Sequence, residues 1–264
     1  MGKQARLYFI DALRAFAILM MLQGHFISGV LDPANIDSSN SFYSFWLYCR
    51  GFTAPVFFTI TGWVFTFLLL RNAQQGWKNP RIKKGLKRTL ELLLWGYLLR
   101  LNLPMLFSGQ VNNSFLYPDV LQIIGLSLSF IILIYLLFGF LKQWTSFIFL
   151  AIGLLIFLAQ PHYVDLTFPS LPSYIAAYLT KANKGVFYLF PWLGYVSIGA
   201  SIAYLFSAKT SQLWSWRLGF IALGFWLVFR SSPFLIDLES LTGIDLFRQV
   251  AYNNFLFIRL GDVF

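Results

Sequence analysis

The stretch RAFAILMMLQGH, residues 14–25, carries an arginine and a histidine at the two ends of an almost entirely apolar sequence. It lies within an apolar run over residues 8–30, which is long enough for one α-helix to cross the hydrocarbon core of a bilayer. Asp11 and Arg14 interrupt this run early, it is longer than a signal-peptide core, and no small-x-small cleavage pattern follows it closely. We therefore predict that it is a retained membrane-spanning helix.

The composition extends this prediction to the whole chain. Of the 264 residues, 58% are hydrophobic and 11% are charged, whereas about a quarter of the residues of an average soluble domain are charged. The net charge is +10. The basic residues lie between apolar runs, however, so the expected partner is membrane lipid and not nucleic acid. The single cysteine, Cys49, excludes an intrachain disulfide, and the presence of only two histidines argues against a histidine metal site.

The apolar runs predict an all-α fold, a polytopic transmembrane helical bundle that forms one domain over residues 1–264. A span needs roughly 20 apolar residues. The candidate runs are 8–30, 46–70, 88–107, 118–141, 145–160, 186–207 and 214–230, with an eighth beginning near residue 250. The eighth run reaches Phe264 before it is long enough to cross, so we expect the natural protein to continue beyond this residue.

The positions of the basic residues predict the orientation in the membrane. Seven of them lie in the connection after the second run: Arg71, Lys78, Arg81, Lys83, Lys84, Lys87 and Arg88. Short loops that are rich in lysine and arginine resist translocation. We therefore predict that this connection and the N-terminus face the cytoplasm, in the cytoplasmic (inner) membrane. The loops 108–117, 161–185 and 231–247 are then expected outside.

Three ionisable residues share one face of the first predicted helix. Arg14 and His25 are 11 residues apart, which is close to three helical turns and about 16 Å. Asp11 precedes Arg14 by one turn. Such groups cost several kcal/mol each in a bilayer unless they face protein or water, so this face is predicted to line a cavity in the bundle. The alternative remains that Asp11 and Arg14 form an interfacial anchor and that His25 meets headgroups.

A single histidine without a cysteine nucleophile indicates general-base chemistry, in which the imidazole of His25 removes a proton from an attacking hydroxyl or amine. A covalent histidine intermediate is equally compatible with the sequence. His162 lies beside Pro161 at the end of a span, where an interfacial role is expected.

Four stretches, in this order, resemble bacterial membrane proteins related to heparan-α-glucosaminide N-acetyltransferase. They are RLYFIDALRAFAILMMLQGH (6–25), CRGFTAPVFFTITG (49–62), DVLQIIGLSL (119–128) and FPWLGYVSIG (190–199). The spacing of Arg14 and His25 is also similar to that of the wider transmembrane acyltransferase superfamily. Two positions depart from the family pattern, because Ala15 replaces a common glycine and Thr53 a common cysteine.

The resemblance implies an acyltransferase that moves an acetyl group from cytoplasmic acetyl-CoA across the membrane to a carbohydrate amine or hydroxyl. It implies that His25 is the catalytic base or acyl relay. Arg14 would contact the donor or its thioester carbonyl, and Asp11 would orient Arg14. Arg50 would be a contact on the acceptor side or to the oxyanion.

Other residues are candidates for the donor site. The basic side chains Lys83, Lys84, Lys87 and Arg88 could hold the donor phosphates, although positive-inside anchoring is the favoured explanation. Trp192 could stack on the cofactor or belong to an interfacial aromatic belt. A homodimer is compatible with the sequence. A transporter, whose inverted repeats we do not find, and a non-catalytic membrane partner are the alternative functions.

Overall fold

The computed structural model describes residues 8–32, 37, 39–110, 113–183, 187–208 and 213–264, and its regular structure within these ranges is helical. The helices are α1 (Tyr8–Val30), α2 (Ser41–Leu70), α3 (Pro80–Leu98), α4 (Leu103–Phe107), α5 (Val120–Phe138), α6 (Trp144–Leu158), α7 (Gln160–Tyr163), α8 (Ser173–Leu179), α9 (Leu189–Ala208), α10 (Leu213–Thr242), α11 (Asp245–Tyr252) and α12 (Phe255–Val263). The predicted all-α fold is confirmed.

Five of the described helices are long and apolar enough to cross a membrane. These spans are Asp11–Val30, Ser41–Leu70, Val120–Leu141, Leu189–Phe206 and Trp216–Thr242. They agree with the predicted membrane bundle, but the prediction of eight spans is not confirmed. The helix in the fifth predicted run, α6, has only 15 residues.

The third and eighth predicted runs differ from the observed helices for local reasons. Helix α3 begins at Pro80, not near residue 88, because Asn79 caps it and Pro80 occupies its first turn. Its first half therefore carries lysines and arginines. The eighth run is divided into the two short helices α11 and α12, which are separated by Asn253 and Asn254.

The prediction of a loop at 231–247 was wrong for residues 231–242, because α10 continues to Thr242. Pro233 lies inside this helix. The helix ends instead at Gly243, whose φ of 69° lies in the left-handed region, and whose N–H donates to the carbonyl of Glu239 at 2.8 Å. Glycine at this position is the usual end of an α-helix.

Helices α2 and α9 cross at the centre of the bundle through two glycines. A Cβ on Gly62 would lie 2.0 Å from the carbonyl oxygen of Val196, and one on Gly199 would lie 1.9 Å from that of Thr59. Glycine is therefore required at both positions, which is the small-residue packing expected between membrane helices. Helix α6 packs on another side of α9, where the Ser146 and Ser201 hydroxyls are 3.0 Å apart.

Helix α1 packs on α2 by a narrow stripe and leaves most of its surface exposed. Among its described side chains only Ala17 and Gly24, two turns apart, are buried. Helix α3 lies against α5, and α12 is held to α2 by Asp262, which accepts from the Tyr48 hydroxyl and pairs with Arg259 at 2.9 Å. Helix α1 is therefore held less closely than the other helices of the bundle core.

Candidate functional site

A cavity of about 340 Å³ lies between α1, α2 and the first turn of α5, and its walls carry three ionisable side chains. These are His25 from α1, Arg50 from α2 and Asp119, which immediately precedes α5. The other residues that line the cavity are mostly apolar, among them Met20, Met21, Ala54, Phe57 and Phe58. We call this space the His25 cavity.

Gly24 explains how His25 comes to the rim of this cavity. Gly24 is buried in the contact between α1 and α2, and a Cβ at this position would lie 3.3 Å from Nε of Arg50. The missing side chain lets Arg50 lie across α1. His25 is the next residue, and its exposed side chain lines the same cavity as Arg50.

Arg50 is held from the other side by an aromatic ring. Its guanidinium carbon lies 5.5 Å from the centroid of the Trp46 ring, one helical turn earlier on α2. This is a cation–π arrangement, which orients the guanidinium group without neutralising its charge. Arg50 therefore presents a positively charged, hydrogen-bond-donating group to the His25 cavity.

Asp119 was not among the residues predicted from the sequence, although the stretch 119–128 was. Its side chain accepts from the N–H of Val120 at 2.7 Å, and its own N–H donates to the Gln122 side chain at 3.1 Å. Arg100 approaches the second carboxylate oxygen at 3.3 Å. The Asp-x-x-Gln capping box was a visible sequence signal for the helix start, but nothing local indicated that this end of α5 meets α1.

Trp192 supports the wall of the cavity from behind. Its ring stacks on Phe58 at a centroid distance of 5.0 Å and lies 5.3 Å from the ring of Phe187. Both phenylalanines line the cavity, whereas half-buried Trp192 does not. The predicted contact between Trp192 and a cofactor remains a prediction.

Arg14 and Asp11 lie on the same helix as His25 but outside the cavity lining. Relative to the buried stripe at Ala17, Arg14 and His25 are displaced around α1 by about 60° and 80°. All three ionisable side chains of this face are exposed. The cavity is therefore lined by His25 and Arg50, whereas Arg14 and Asp11 lie about 16 Å or more from His25 along α1 and do not line it.

The four predicted phosphate contacts lie on the exposed face of α3. Lys87 and Arg88 approach Glu91 at 3.9 Å and 3.4 Å. Lys83 and Lys84 are also exposed. The C-terminal end of α3 leads towards Arg100 and Asp119, so Lys83 is separated from that end by about 22 Å along the helix axis. Lys83 and Lys84 are therefore at the far end of α3 from the His25 cavity, and Lys87 and Arg88 lie near the middle of the helix.

A family model described as heparan-alpha-glucosaminide N-acetyltransferase, catalytic, matches residues 6–233. The chain belongs to this family. The match covers α1, α2, α5 and α9, and with them each residue that we have placed at the His25 cavity. The resemblance predicted from the four sequence stretches is thus confirmed.

The family identifies the chain as a multi-pass membrane protein of the acetyltransferase type. No curated protein and no solved structure matches it. Within the described ranges, the histidine, cysteine and acidic side chains form no group of three that could hold a metal ion.

Proposed function

We propose that this protein transfers an acetyl group from acetyl-CoA to an amine or hydroxyl group of a sugar, and that the reaction takes place in the His25 cavity. One observation carries the proposal. A chain of the acetyltransferase family places an imidazole, a guanidinium group and a carboxylate around a single cavity of about 340 Å³. In acyl transfer to a neutral nucleophile, an imidazole can act as the general base and a cation can stabilise the oxyanion.

In the proposed reaction the acceptor nitrogen or oxygen attacks the thioester carbonyl carbon, and His25 takes the proton that the acceptor loses. The carbonyl oxygen becomes an oxyanion, which the guanidinium group of Arg50 stabilises. When the carbon–sulfur bond breaks, the imidazolium returns the proton to the CoA thiolate. A variant of this scheme passes the acetyl group through the His25 ring before the acceptor receives it.

Asp119 is the proposed contact for the acceptor. Its carboxylate is fixed by the first turn of α5 and by Arg100. It can therefore accept hydrogen bonds from the amine or hydroxyl groups of a sugar without reorganising. Its place in the wall opposite α1 would direct the reacting group towards His25.

The donor is proposed to approach along the exposed face of α1. Arg14 lies about 16 Å from His25 on this face, and it would contact the donor while Asp11 orients it. The basic residues Lys83, Lys84, Lys87 and Arg88 would attract the donor phosphates to that side of an inner membrane, with the N-terminus in the cytoplasm. Trp192 would contribute to donor binding indirectly, by supporting Phe58 and Phe187 in the cavity wall.

The test compares two histidine variants of the purified protein with radiolabelled acetyl-CoA and a panel of amino sugars and neutral sugars. His25→Ala should lower transfer by about 10²–10⁴-fold, which is the usual contribution of a general base. His162→Ala is the matched control, because His162 is exposed on α7, outside the cavity, and it should retain full activity.

The same experiment separates the two chemical schemes. Radiolabel that stays on the wild-type protein in the absence of sugar, and is missing from His25→Ala, would indicate an acetyl-histidine. Full transfer by His25→Ala would refute the proposed site. Lack of transfer to any acceptor by wild-type protein that binds acetyl-CoA would refute the proposed acceptor class.

A further inference from the structure

Helix α9 borders a second cavity, whose lining is more apolar than that of the His25 cavity. A groove of about 440 Å³ lies between α6, α9 and α10 and is closed at its base by α12. Leucine and phenylalanine side chains dominate its walls. We call it the α9–α10 groove, and it shares no lining residue with the His25 cavity.

The hydroxyl groups of the α9–α10 groove are already occupied by the protein. The Ser201 hydroxyl is 3.0 Å from that of Ser146. The Ser231 hydroxyl donates to the Leu227 carbonyl and accepts from the side-chain amide of Asn254 at 2.7 Å. A polar ligand would find few partners among the described walls, whereas a hydrocarbon chain would bury apolar surface there.

The positively charged side chain of Arg217 lies near one end of the groove. A third cavity, of about 370 Å³, shares Phe220 and Phe264 with the groove and is also lined by Trp63 and Arg217. Arg217 is exposed and lies at the beginning of the α10 span, Trp216–Thr242. Arginine side chains at the ends of membrane helices reach the level of the headgroups, where they attract anionic lipids.

We propose that the α9–α10 groove binds one anionic phospholipid, with an acyl chain in the groove and the phosphate at Arg217. The charge of Arg217 selects the headgroup, and the apolar walls select the chain. The lipid comes from the leaflet that faces the N-terminal end of α10. The site is independent of acetyl transfer, because it shares no lining residue with the His25 cavity.

The proposal is tested by reconstituting the protein in vesicles of equal parts phosphatidylglycerol and phosphatidylcholine, extracting it in mild detergent and counting retained lipids by native mass spectrometry. One phosphatidylglycerol should be retained in preference to phosphatidylcholine. Arg217→Gln should reduce this preference about fivefold, because one arginine near the membrane surface contributes about that factor.

A matched pair of variants tests the groove itself. Leu223→Trp enlarges a side chain that lines the groove, and it should abolish retention of the lipid. Leu218→Trp makes the same change on the same helix outside the lining, and it should leave retention unchanged. Equal retention of the two lipids by wild-type protein, or unchanged retention by Leu223→Trp, would overturn the proposal. A dimer that Leu223→Trp dissociates would assign the groove to a second copy of the chain and would also overturn it.

Discussion

Helices α1 and α9 are similar in length and hydropathy, yet 11% of the span in α1 is buried against 78% of the span in α9. The difference follows from the positions of small residues. Helix α9 presents Gly199 to α2 and Gly194 to Phe157 of α6, whereas α1 offers the single stripe of Ala17 and Gly24. Hydropathy thus indicates which helices enter a bilayer, and small residues decide which of them pack closely. Asp11, Arg14 and His25 all lie on α1, which has the smallest buried share of the five spans.

The largest effect is expected where α9 meets α2. Gly199→Leu would place a side chain where even a Cβ lies 1.9 Å from the Thr59 carbonyl oxygen, and neither backbone can yield without separating the helices. We expect a loss of at least about 3 kcal/mol in the free energy of unfolding. Thermal unfolding in detergent, followed by circular dichroism, measures this loss.

The same substitution on α1 is the control. A Cβ at Gly29 would meet no atom of the described residues within 4 Å outside its own turns of α1. In Gly29→Leu the midpoint of thermal unfolding should therefore not fall, and it should rise slightly because leucine favours a helix over glycine. If the two variants unfolded at the same temperature, the contrast in packing between α9 and α1 would be wrong.

The next largest effect is expected for Asp119, which lies in the wall of the His25 cavity. Asp119→Asn removes the negative charge but keeps a side chain that caps helices as well as aspartate does. We expect kcat/KM for acetyl transfer to fall about 10- to 100-fold, the value of a lost hydrogen bond to a charged group, while the unfolding temperature stays unchanged.

Asp119→Ala separates the two roles of this residue. It should show the same loss of activity and should also lose about 1 kcal/mol of stability, because alanine cannot cap α5. An Asp119→Asn protein with wild-type kcat/KM would show that Asp119 only starts the helix and does not contact the acceptor.

The sequence was sufficient for α1, which was predicted over residues 8–30 and is observed at Tyr8–Val30. It failed where local signals conflict with tertiary structure. Lysines made the first turns of α3 resemble a loop, although Ile82, Gly85 and Thr89 form a buried face on that helix. The polar residues after position 230 suggested a loop at 231–247, although α10 continues to Thr242.

The candidate site was predictable only in part, for a related reason. His25 stood out because ionisable side chains are rare and costly in apolar runs, and Arg50 was implied by the family resemblance. Asp119 did not stand out, since its importance comes from the approach of α5 to α1, and two helix ends 94 residues apart carry no local signal of their contact. Arg14 shares a helix face with His25, but it lies about 16 Å away along α1 and does not line the His25 cavity.

The smallest effect tests whether the contact between α1 and α2 positions Arg50. In Gly24→Ala the new methyl group would lie 3.3 Å from Nε of Arg50, so the guanidinium group must shift by a few tenths of an ångström. We expect kcat/KM to fall by less than about tenfold, since larger losses accompany displacements near 1 Å. The unfolding temperature should rise, because alanine favours a helix over glycine by up to about 1 kcal/mol.

Gly29→Ala on the same helix should give the same gain in stability with unchanged activity. Equal activity of the two variants would show that Arg50 does not depend on Gly24 for its position, and the narrow stripe of α1 would then serve packing alone.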